Sequence, residues 1–404
     1  LLVMGPQVLN LVTIPKSFGG FSGAMIRFIL CALVFGGFSA KKLIDYGDYI
    51  MVLHSVYGMQ LALGVFVGIV CEGFWNTLPA GWGYLAAESF HGGHGRATAA
   101  GNVFKGVTSI SDYIDIGLVL STFGIIIAMT VGMVVVNWGV RKGYAAFVKD
   151  VAIQPDYFYG GLLPEEKQVP IGTQKITGTS VNALALQMGF ILASMWVGEL
   201  IGKLFVFAFP VLKGVALLAW DTVGGIAGWY VVKLFGMTKF VDKKTINQLA
   251  GLALEVLLVG AMATLNVKVL VTNIVPLLII TVIICLLTIV WTLFMAKMTC
   301  RDQWFEKAAM IIGCATGATP TGLALVRAID PNSQSCAAEA HGVYCGVTFW
   351  IYFFTSILPP LLAVGSNTLT YVVGLLQFVI PVLIGFLVFR PIKLKAERAA
   401  KEQK

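Results

Sequence analysis

Two short stretches rich in glycine, alanine and hydroxyl side chains interrupt apolar segments of the chain. Residues 89–102 read Ser-Phe-His-Gly-Gly-His-Gly-Arg-Ala-Thr-Ala-Ala-Gly-Asn, and residues 313–322 read Gly-Cys-Ala-Thr-Gly-Ala-Thr-Pro-Thr-Gly. Glycine lets the backbone leave the helix and lets a ligand approach closely. A helix that restarts after such a break directs N–H groups and a partial positive charge at the gap, which suits a carboxylate, while carbonyl groups freed from the helix suit Na⁺. The two stretches therefore predict a site for an anionic solute and Na⁺; the alternative is that the glycines only permit tight helix packing.

The candidate ligands lie in these stretches and just beyond them. For the solute they are Gly92, Gly93, His94, Gly95, Arg96, Thr98, Thr316, Gly317, Ala318, Thr319, Thr321 and Arg327. Arg96 either pairs with a substrate carboxylate through two parallel hydrogen bonds or faces the aqueous mouth. Arg327 either does the same or is an ordinary positive residue of a cytoplasmic loop. For sodium the candidates include Asn102 and Glu255, the latter because a carboxylate within an apolar helix marks an ion path or an internal pair.

Other kinds of chemistry find little support. His91 and His94 are close in sequence, but no cluster of Cys, Asp or His completes a set of metal ligands around them. The seven cysteines form no C-x-x-C pattern and are expected to pack as small residues. No nucleophile–base arrangement stands out among the scattered serines and histidines. We therefore expect a protein that is not an enzyme, and that needs no cofactor and no metal besides Na⁺.

Composition predicts a membrane protein. Hydrophobic residues make up 58% of the 404 residues and charged residues 12%, about half of the roughly 25% found in soluble domains. The net charge of +8 is spread over short loops and a tail, which membrane topology explains better than nucleic-acid binding. Apolar runs long enough to cross a bilayer predict nine crossing helices, at roughly 23–39, 49–73, 112–139, 180–209, 212–235, 247–265, 270–296, 337–363 and 367–389.

The two interrupted stretches, residues 80–106 and 305–330, are predicted to be re-entrant hairpins. If each enters and leaves on one face, most loop lysines and arginines fall on the side of the basic C-terminal tail, as the positive-inside rule requires. Helices and hairpins then follow one order in both halves with opposite orientation, which is the inverted-repeat architecture of secondary transporters. The predicted regions are a first repeat (1–139), a cytoplasmic linker (140–179), connecting scaffold helices (180–235), a second repeat (236–363), and an additional helix with a basic cytoplasmic tail (364–404).

These residues resemble a known family. Gly92-Gly93-His94-Gly95 and Gly317-Ala318-Thr319-Pro320-Thr321 look like the two signature loops of the bacterial sodium/glutamate symporters, and weaker similarity at Gln168-Val169-Pro170 and Leu265-Asn266-Val267 extends it over roughly residues 30–363. Asn266 in the last of these strings is a third sodium candidate. The resemblance implies an elevator-type homodimer, in which each protomer has a scaffold part and a mobile transport part carrying both hairpins. It also implies glutamate uptake coupled to sodium entry.

The resemblance leads to a specific expectation about function. We expect a sodium-coupled symporter that imports glutamate or a similar small carboxylate by alternating access, as a multi-pass protein of the bacterial cytoplasmic (inner) membrane. The alternative is a channel or exporter for a small organic anion. Arg96, where the family has a small residue, and the additional C-terminal helix depart from the family pattern. The chain begins Leu-Leu-Val-Met, so we also expect N-terminal material to be missing.

Overall fold

In the computed structural model, the described residues are 18–35, 44–148, 164–168, 170, 172–177, 181–209, 217–263, 267–331, 334–348 and 351–402, and every regular element among them is helical. The α-helices are α1 (Phe18–Val34), α2 (Gly47–Glu72), α3 (Tyr84–Thr108), α4 (Asp112–Arg141), α5 (Ala183–Ala208), α6 (Leu217–Leu234), α7 (Lys243–Ala263), α8 (Val267–Thr272), α9 (Ile274–Thr299), α10 (Trp304–Thr316), α11 (Thr319–Ile329), α12 (Ala337–Val347), α13 (Ile351–Ala363), α14 (Asn367–Ile384) and α15 (Arg390–Glu402). A π-helical turn, Gly385–Phe389, joins α14 to α15.

Five helical stretches are long and apolar enough to cross a membrane: α2, α4, α5, α9 and Asn367–Ala396, which runs from α14 into α15. The prediction of an all-α multi-pass membrane protein is confirmed to that extent. The other four predicted crossings fall on helices that are shorter, more polar or divided, and they stay predictions. One boundary was wrong: the single helix expected at 337–363 is two helices, since α12 ends at Val347 and α13 begins at Ile351.

The chain forms two compact units, each assembled from separated segments. The first contains residues Leu1–Phe38, Gln154–Leu265 and Thr348–Pro360, and its described helices are α1, α5, α6, α7 and most of α13. Here α5 and α6 approach closely, as the distance from a Cβ on Gly198 to the Cα of Gly224 shows: it would be 3.0 Å. Small residues at such crossings let the helix backbones pack against each other.

Three charged side chains of the first unit form one ion cluster. Arg27 on α1 donates from Nε to Asp221 Oδ2 (2.6 Å) and from Nη2 to Glu199 Oε1 (2.5 Å). Asp221 is fully buried, and a buried carboxylate is stable only when it is paired. The two acidic residues of these apolar helices are thus held by one guanidinium, which joins α1, α5 and α6.

The second unit contains both interrupted stretches. It comprises residues Ser39–Ile153, Asn266–Val347 and Leu361–Lys404, and its described helices are α2, α3, α4, α8 to α12, α14 and α15. Helix α2 lies in its interior, where Tyr49, Tyr57 and Leu61 are fully buried. Gly58 of α2 faces the backbone of Gln377, so α14 packs directly on α2.

Candidate functional site

The first interrupted stretch reverses direction at a single glycine. Gly93, within α3, has φ 61° and ψ −162°, a region that only glycine occupies without strain. The rings of Tyr84 and Phe104 lie 6.3 Å apart on either side of it, whereas twenty residues of continuous helix would separate them by about 30 Å. Helix α3 is therefore a helical hairpin with its tip at Gly93, called hairpin 1 below.

The second interrupted stretch is a hairpin of two separate helices. Helix α10 ends at Thr316 and α11 begins at Thr319. A Cβ on Gly313 would lie 2.5 Å from the Cα of Gly322, so the two helices touch backbone to backbone. We call α10 and α11 hairpin 2, with its tip at Gly317 and Ala318. In both hairpins the reversal agrees with the prediction from the sequence; that they are re-entrant in a membrane stays a prediction.

A threonine holds the tip of hairpin 2. The Oγ1 atom of Thr321 lies 2.7 Å from the carbonyl oxygens of both Gly313 and Ala318, and it accepts a hydrogen bond from the Ala318 N–H (2.9 Å). The Gly313 and Ala318 carbonyls also accept helical hydrogen bonds from the Gly317 and Gly322 N–H groups (both 3.1 Å), whereas the Ala318 N–H donates to the hydroxyl in place of a helical carbonyl. The hydroxyl thus gives the Ala318 N–H a partner and links the end of one helix to the start of the next, which fixes the shape of the tip.

The two tips meet inside the second unit. A Cβ on Gly93 would lie 3.2 Å from the carbonyl oxygen of Gly317 and 3.3 Å from the Cβ of Ala318. A side chain longer than a methyl group at Gly93 would therefore collide with the opposite tip. The two motifs predicted to share a site are therefore adjacent, and backbone groups from both tips face the same small region.

Helix α4 packs against both hairpins through small residues. A Cβ on Gly117 would lie 3.1 Å from the Cβ of Ala97 in hairpin 1. Gly124 leaves room for the carbonyl of Thr316 in hairpin 2, and a Cβ on Gly132 would lie 2.8 Å from a methyl group of Leu325. One stripe of α4 therefore supports both hairpins.

Arg96, predicted to bind a substrate carboxylate, is bonded to a carboxylate of its own hairpin. Its Nε and Nη2 atoms donate to Glu88 Oε2 (3.0 Å) and Oε1 (2.8 Å). Tyr57 donates to Glu88 Oε1 (3.0 Å), and its ring lies 5.1 Å from the guanidinium carbon. Arg96 is 8% exposed and Glu88 is fully buried. The pair joins the two legs of hairpin 1, because Glu88 precedes the tip and Arg96 follows it.

Histidines connect both hairpins to neighbouring helices. The Nε2 atom of His91 lies 2.8 Å from the Tyr344 hydroxyl, and Nε2 of His94 lies 3.1 Å from Thr122 Oγ1. His341 on α12 approaches the tip of hairpin 2, with Nε2 3.0 Å from Thr319 Oγ1. Among the described residues, no group of three or more His, Cys, Asp or Glu side chains is arranged to hold a metal ion.

The remaining predicted ligands have varied surroundings. Thr98 is fully buried, and its Oγ1 has no hydrogen-bond partner among the described residues. Asn102 donates from Nδ2 to the Thr98 carbonyl (2.9 Å). Arg327 is exposed on α11, and Glu255 is exposed on α7 in the first unit. Asn266 lies outside the described residues.

Four residues near the hairpins were not predicted as ligands from the sequence: Tyr57, Glu88, His341, and Gln60 of α2, whose Nε2 donates to the Ala315 carbonyl in hairpin 2. Each is a polar side chain in or beside an apolar run. Such residues are costly at membrane depth and therefore mark functional or structural pairs. By that rule, Glu88 could have been predicted from the sequence, because it is a charged residue directly before the first motif. The partners of Gln60 and His341 lie on other helices, so their place in the site required the fold.

A comparison with protein families identifies the molecule at the level of family. A family model described as sodium/glutamate symporter matches residues 23–332, which include both hairpins and all their signature residues. The chain belongs to the sodium/glutamate symporter family. The resemblance predicted from the two signature loops is thereby confirmed, as is the assignment to sodium-coupled glutamate transport and to a multi-pass membrane protein. No curated protein sequence matches the chain.

Proposed function

We propose that this symporter imports glutamate or a similar small carboxylate together with Na⁺ by alternating access, and that the solute binds between the tips of hairpins 1 and 2. The observation that carries the proposal is the meeting of the tips, where a Cβ on Gly93 would lie 3.2 Å from the Gly317 carbonyl. Backbone at a helix break offers N–H groups to anions and carbonyl groups to cations. One site of this kind suits a carboxylate and Na⁺ together.

The charge of the site is compatible with an anionic solute. Arg96 lies three residues after the tip of hairpin 1, and Glu88 balances its charge, so the net charge of the pair is zero. A carboxylate arriving with Na⁺ also adds no net charge. Binding the two together therefore avoids leaving a single charge in a region of low dielectric, which is the physical reason for coupling them.

Several further expectations belong to this proposal. The second unit carries both hairpins and would be the mobile transport part, while the first would be the scaffold part. The chain would act as a homodimer in the bacterial cytoplasmic membrane, with two inverted repeats supplying the two access states. Relative movement of the two units, seen by inter-unit distance measurements with and without Na⁺ and glutamate, is the expected signature.

Uptake into proteoliposomes tests the function. We expect saturable glutamate uptake that requires an inward Na⁺ gradient and stops when K⁺ replaces Na⁺. Gly93→Ala should abolish uptake, because an L-residue is strained at φ 61° and its Cβ presses on the opposite tip. Gly106→Ala is the matched control in the same helix, since a Cβ there meets no atom within 4 Å. Uptake that neither saturates nor needs Na⁺ would instead favour a channel. Normal uptake by Gly93→Ala would show that the solute does not bind between the tips.

A further inference from the structure

A buried glutamine of α2 bonds to the end of α10, just before the tip of hairpin 2. Gln60 lies near the middle of α2 and is fully buried. Its Nε2 atom donates to the carbonyl of Ala315 (2.5 Å) and to Thr288 Oγ1 on α9 (2.9 Å). Ala315 stands two residues before Gly317 and in the last turn of α10, where carbonyl groups lack helical donors. One amide therefore joins three helices at the hairpin.

The orientation of this amide leaves an oxygen without a donor. The Ala315 carbonyl can only accept a hydrogen bond, so the amide nitrogen must face it. Gln60 Oε1 then has no hydrogen-bond partner among the described residues. One turn further along α9, the hydroxyl of Thr292 is also fully buried and lacks a partner within the same described part of the chain. Buried oxygen atoms are normally paired, so this orientation leaves the Gln60 amide only half satisfied, and Thr292 adds a second unsatisfied oxygen one helical turn away on α9.

We propose that Gln60, Thr288 and the Ala315 carbonyl form a binding site for the coupling Na⁺ ion. In the described conformation the amide N–H₂ group occupies the position of the cation and satisfies the two oxygens. Rotation of the amide by half a turn brings Oε1 towards the same two oxygens, which then repel one another unless a cation lies among them. Hard cations take oxygen ligands of this kind, and water completes the set.

This arrangement links the ion to the solute. Na⁺ held by Gln60 and Thr288 fixes the Ala315 carbonyl, and with it the end of α10 that leads into Gly317. Without Na⁺, the amide holds the same carbonyl in the ion-free arrangement. The identity of the cation rests on the proposed function, whereas the oxygen cluster and its unpaired atoms do not.

The first test measures Na⁺ binding without any solute. The purified protein is heated in NaCl and in KCl at constant ionic strength, and the Na⁺-specific rise in melting temperature is recorded. We expect wild type to show this rise and Gln60→Met to lose it, because methionine keeps the volume but supplies no amide oxygen. Gln377→Met on α14 is the matched control: Gln377 is another glutamine of this unit whose amide atoms are buried and unpaired among the described residues.

The second test measures the Na⁺ dependence of glutamate uptake. Loss of one buried ligand should raise the half-saturating Na⁺ concentration of Gln60→Met by about tenfold or more, while the control stays within twofold of wild type. Thr288→Val, compared with Thr281→Val on the same helix, repeats the test if Gln60→Met does not fold. Thr281 is also buried, but among the described residues its hydroxyl bonds only within its helix, to the Leu277 carbonyl.

The outcomes separate the site from the transport function. A wild-type Na⁺ effect that depends on Gln60 supports the site even if glutamate is not transported. Na⁺-driven uptake with an unchanged Na⁺ requirement in both Gln60→Met and Thr288→Val overturns the site and leaves the function standing. Equal destabilisation of Gln60→Met in NaCl and KCl, with the Na⁺-specific rise retained, also overturns it, because the amide then has only a structural role.

Discussion

The two hairpins meet at their tips but are held together in different ways. Hairpin 1 carries its own restraint, since Glu88 on one leg binds Arg96 on the other through two hydrogen bonds. In hairpin 2 a neutral hydroxyl, that of Thr321, holds the tip from within. Other helices supply further partners: Asp48 of α2 binds Lys307 near the base (3.1 Å), and His341 of α12 approaches Thr319 at the tip.

The difference concerns how each hairpin can respond to a ligand. The legs of hairpin 1 are fixed by a buried ion pair that no neighbouring helix needs to supply. The tip of hairpin 2 is bonded to neutral groups, whose hydrogen bonds are individually weaker than those of charged pairs. We therefore expect hairpin 1 to act as the rigid half of the site and hairpin 2 to be the half that adjusts to ions and solute.

The largest effect is expected from breaking the ion pair of hairpin 1. Glu88→Gln leaves the buried guanidinium of Arg96 without its carboxylate, and loss of one partner of a buried pair costs about 3–5 kcal/mol. Chemical unfolding in detergent measures this loss. The double variant Glu88→Gln/Arg96→Met should recover much of it, and Glu255→Gln, at an exposed carboxylate, should stay near wild type. A loss no larger than that of Glu255→Gln would show that the pair does not restrain the hairpin.

A smaller loss is expected at the base of hairpin 2. Lys307→Met removes a buried ammonium from Asp48, but the backbone N–H of Arg301 still donates to that carboxylate (3.0 Å). The expected loss is about 2 kcal/mol, within the range for hydrogen bonds to charged groups. Unfolding followed under the same conditions as for Glu88→Gln allows a direct comparison. A larger loss for Lys307→Met than for Glu88→Gln would reverse the ranking of the two hairpins.

The smallest effect on stability, about 1 kcal/mol, is expected from Thr321→Val. This change removes the hydroxyl that bonds to Gly313 and Ala318 and should mainly loosen the tip of hairpin 2. We expect a raised Na⁺ or glutamate requirement in uptake assays. Thr130→Val is the control, because the Thr130 hydroxyl lies on an exposed face and, within the described part of the chain, bonds only to the Ile126 carbonyl of its own helix. If both variants transport with wild-type requirements, the tip does not depend on its threonine.

The positions of the two helix breaks could be predicted from the sequence, but the side chains that pair with the residues around them could not. Gly93 and the Gly317–Ala318 pair were found because glycine and small polar residues are unusual within apolar runs and have a local effect on the backbone. The pairing of Arg96 with Glu88 was not foreseen, since residues eight apart face each other only after the chain reverses. Likewise, Gln60 is 255 residues from Ala315, and no local pattern predicts a contact at that distance.

Glu255 and Arg327 illustrate a second limit. Their positions near or within apolar helices favoured a role as ligands, yet both side chains are exposed. Sequence alone identifies a charge in an apolar segment but not the direction in which the side chain projects. That direction depends on which face of the helix the neighbouring helices cover.

The small residues of α4 determine how the two hairpins are rotated relative to each other about that helix. Gly117 faces hairpin 1, Gly132 faces hairpin 2, and Gly124 lies against both, because a Cβ there would meet the Thr316 carbonyl and the Phe90 ring. The contacts with the two hairpins therefore depend on one face of α4. Each residue turns an α-helix by about 100°. One residue inserted between Gly117 and Gly124 would rotate the contact with hairpin 2 about a quarter of a circle away from the contact at Gly117. Inserting one full helical turn of residues instead would restore most of the alignment. The spacing of small side chains along α4 therefore sets the angle at which the two tips face each other.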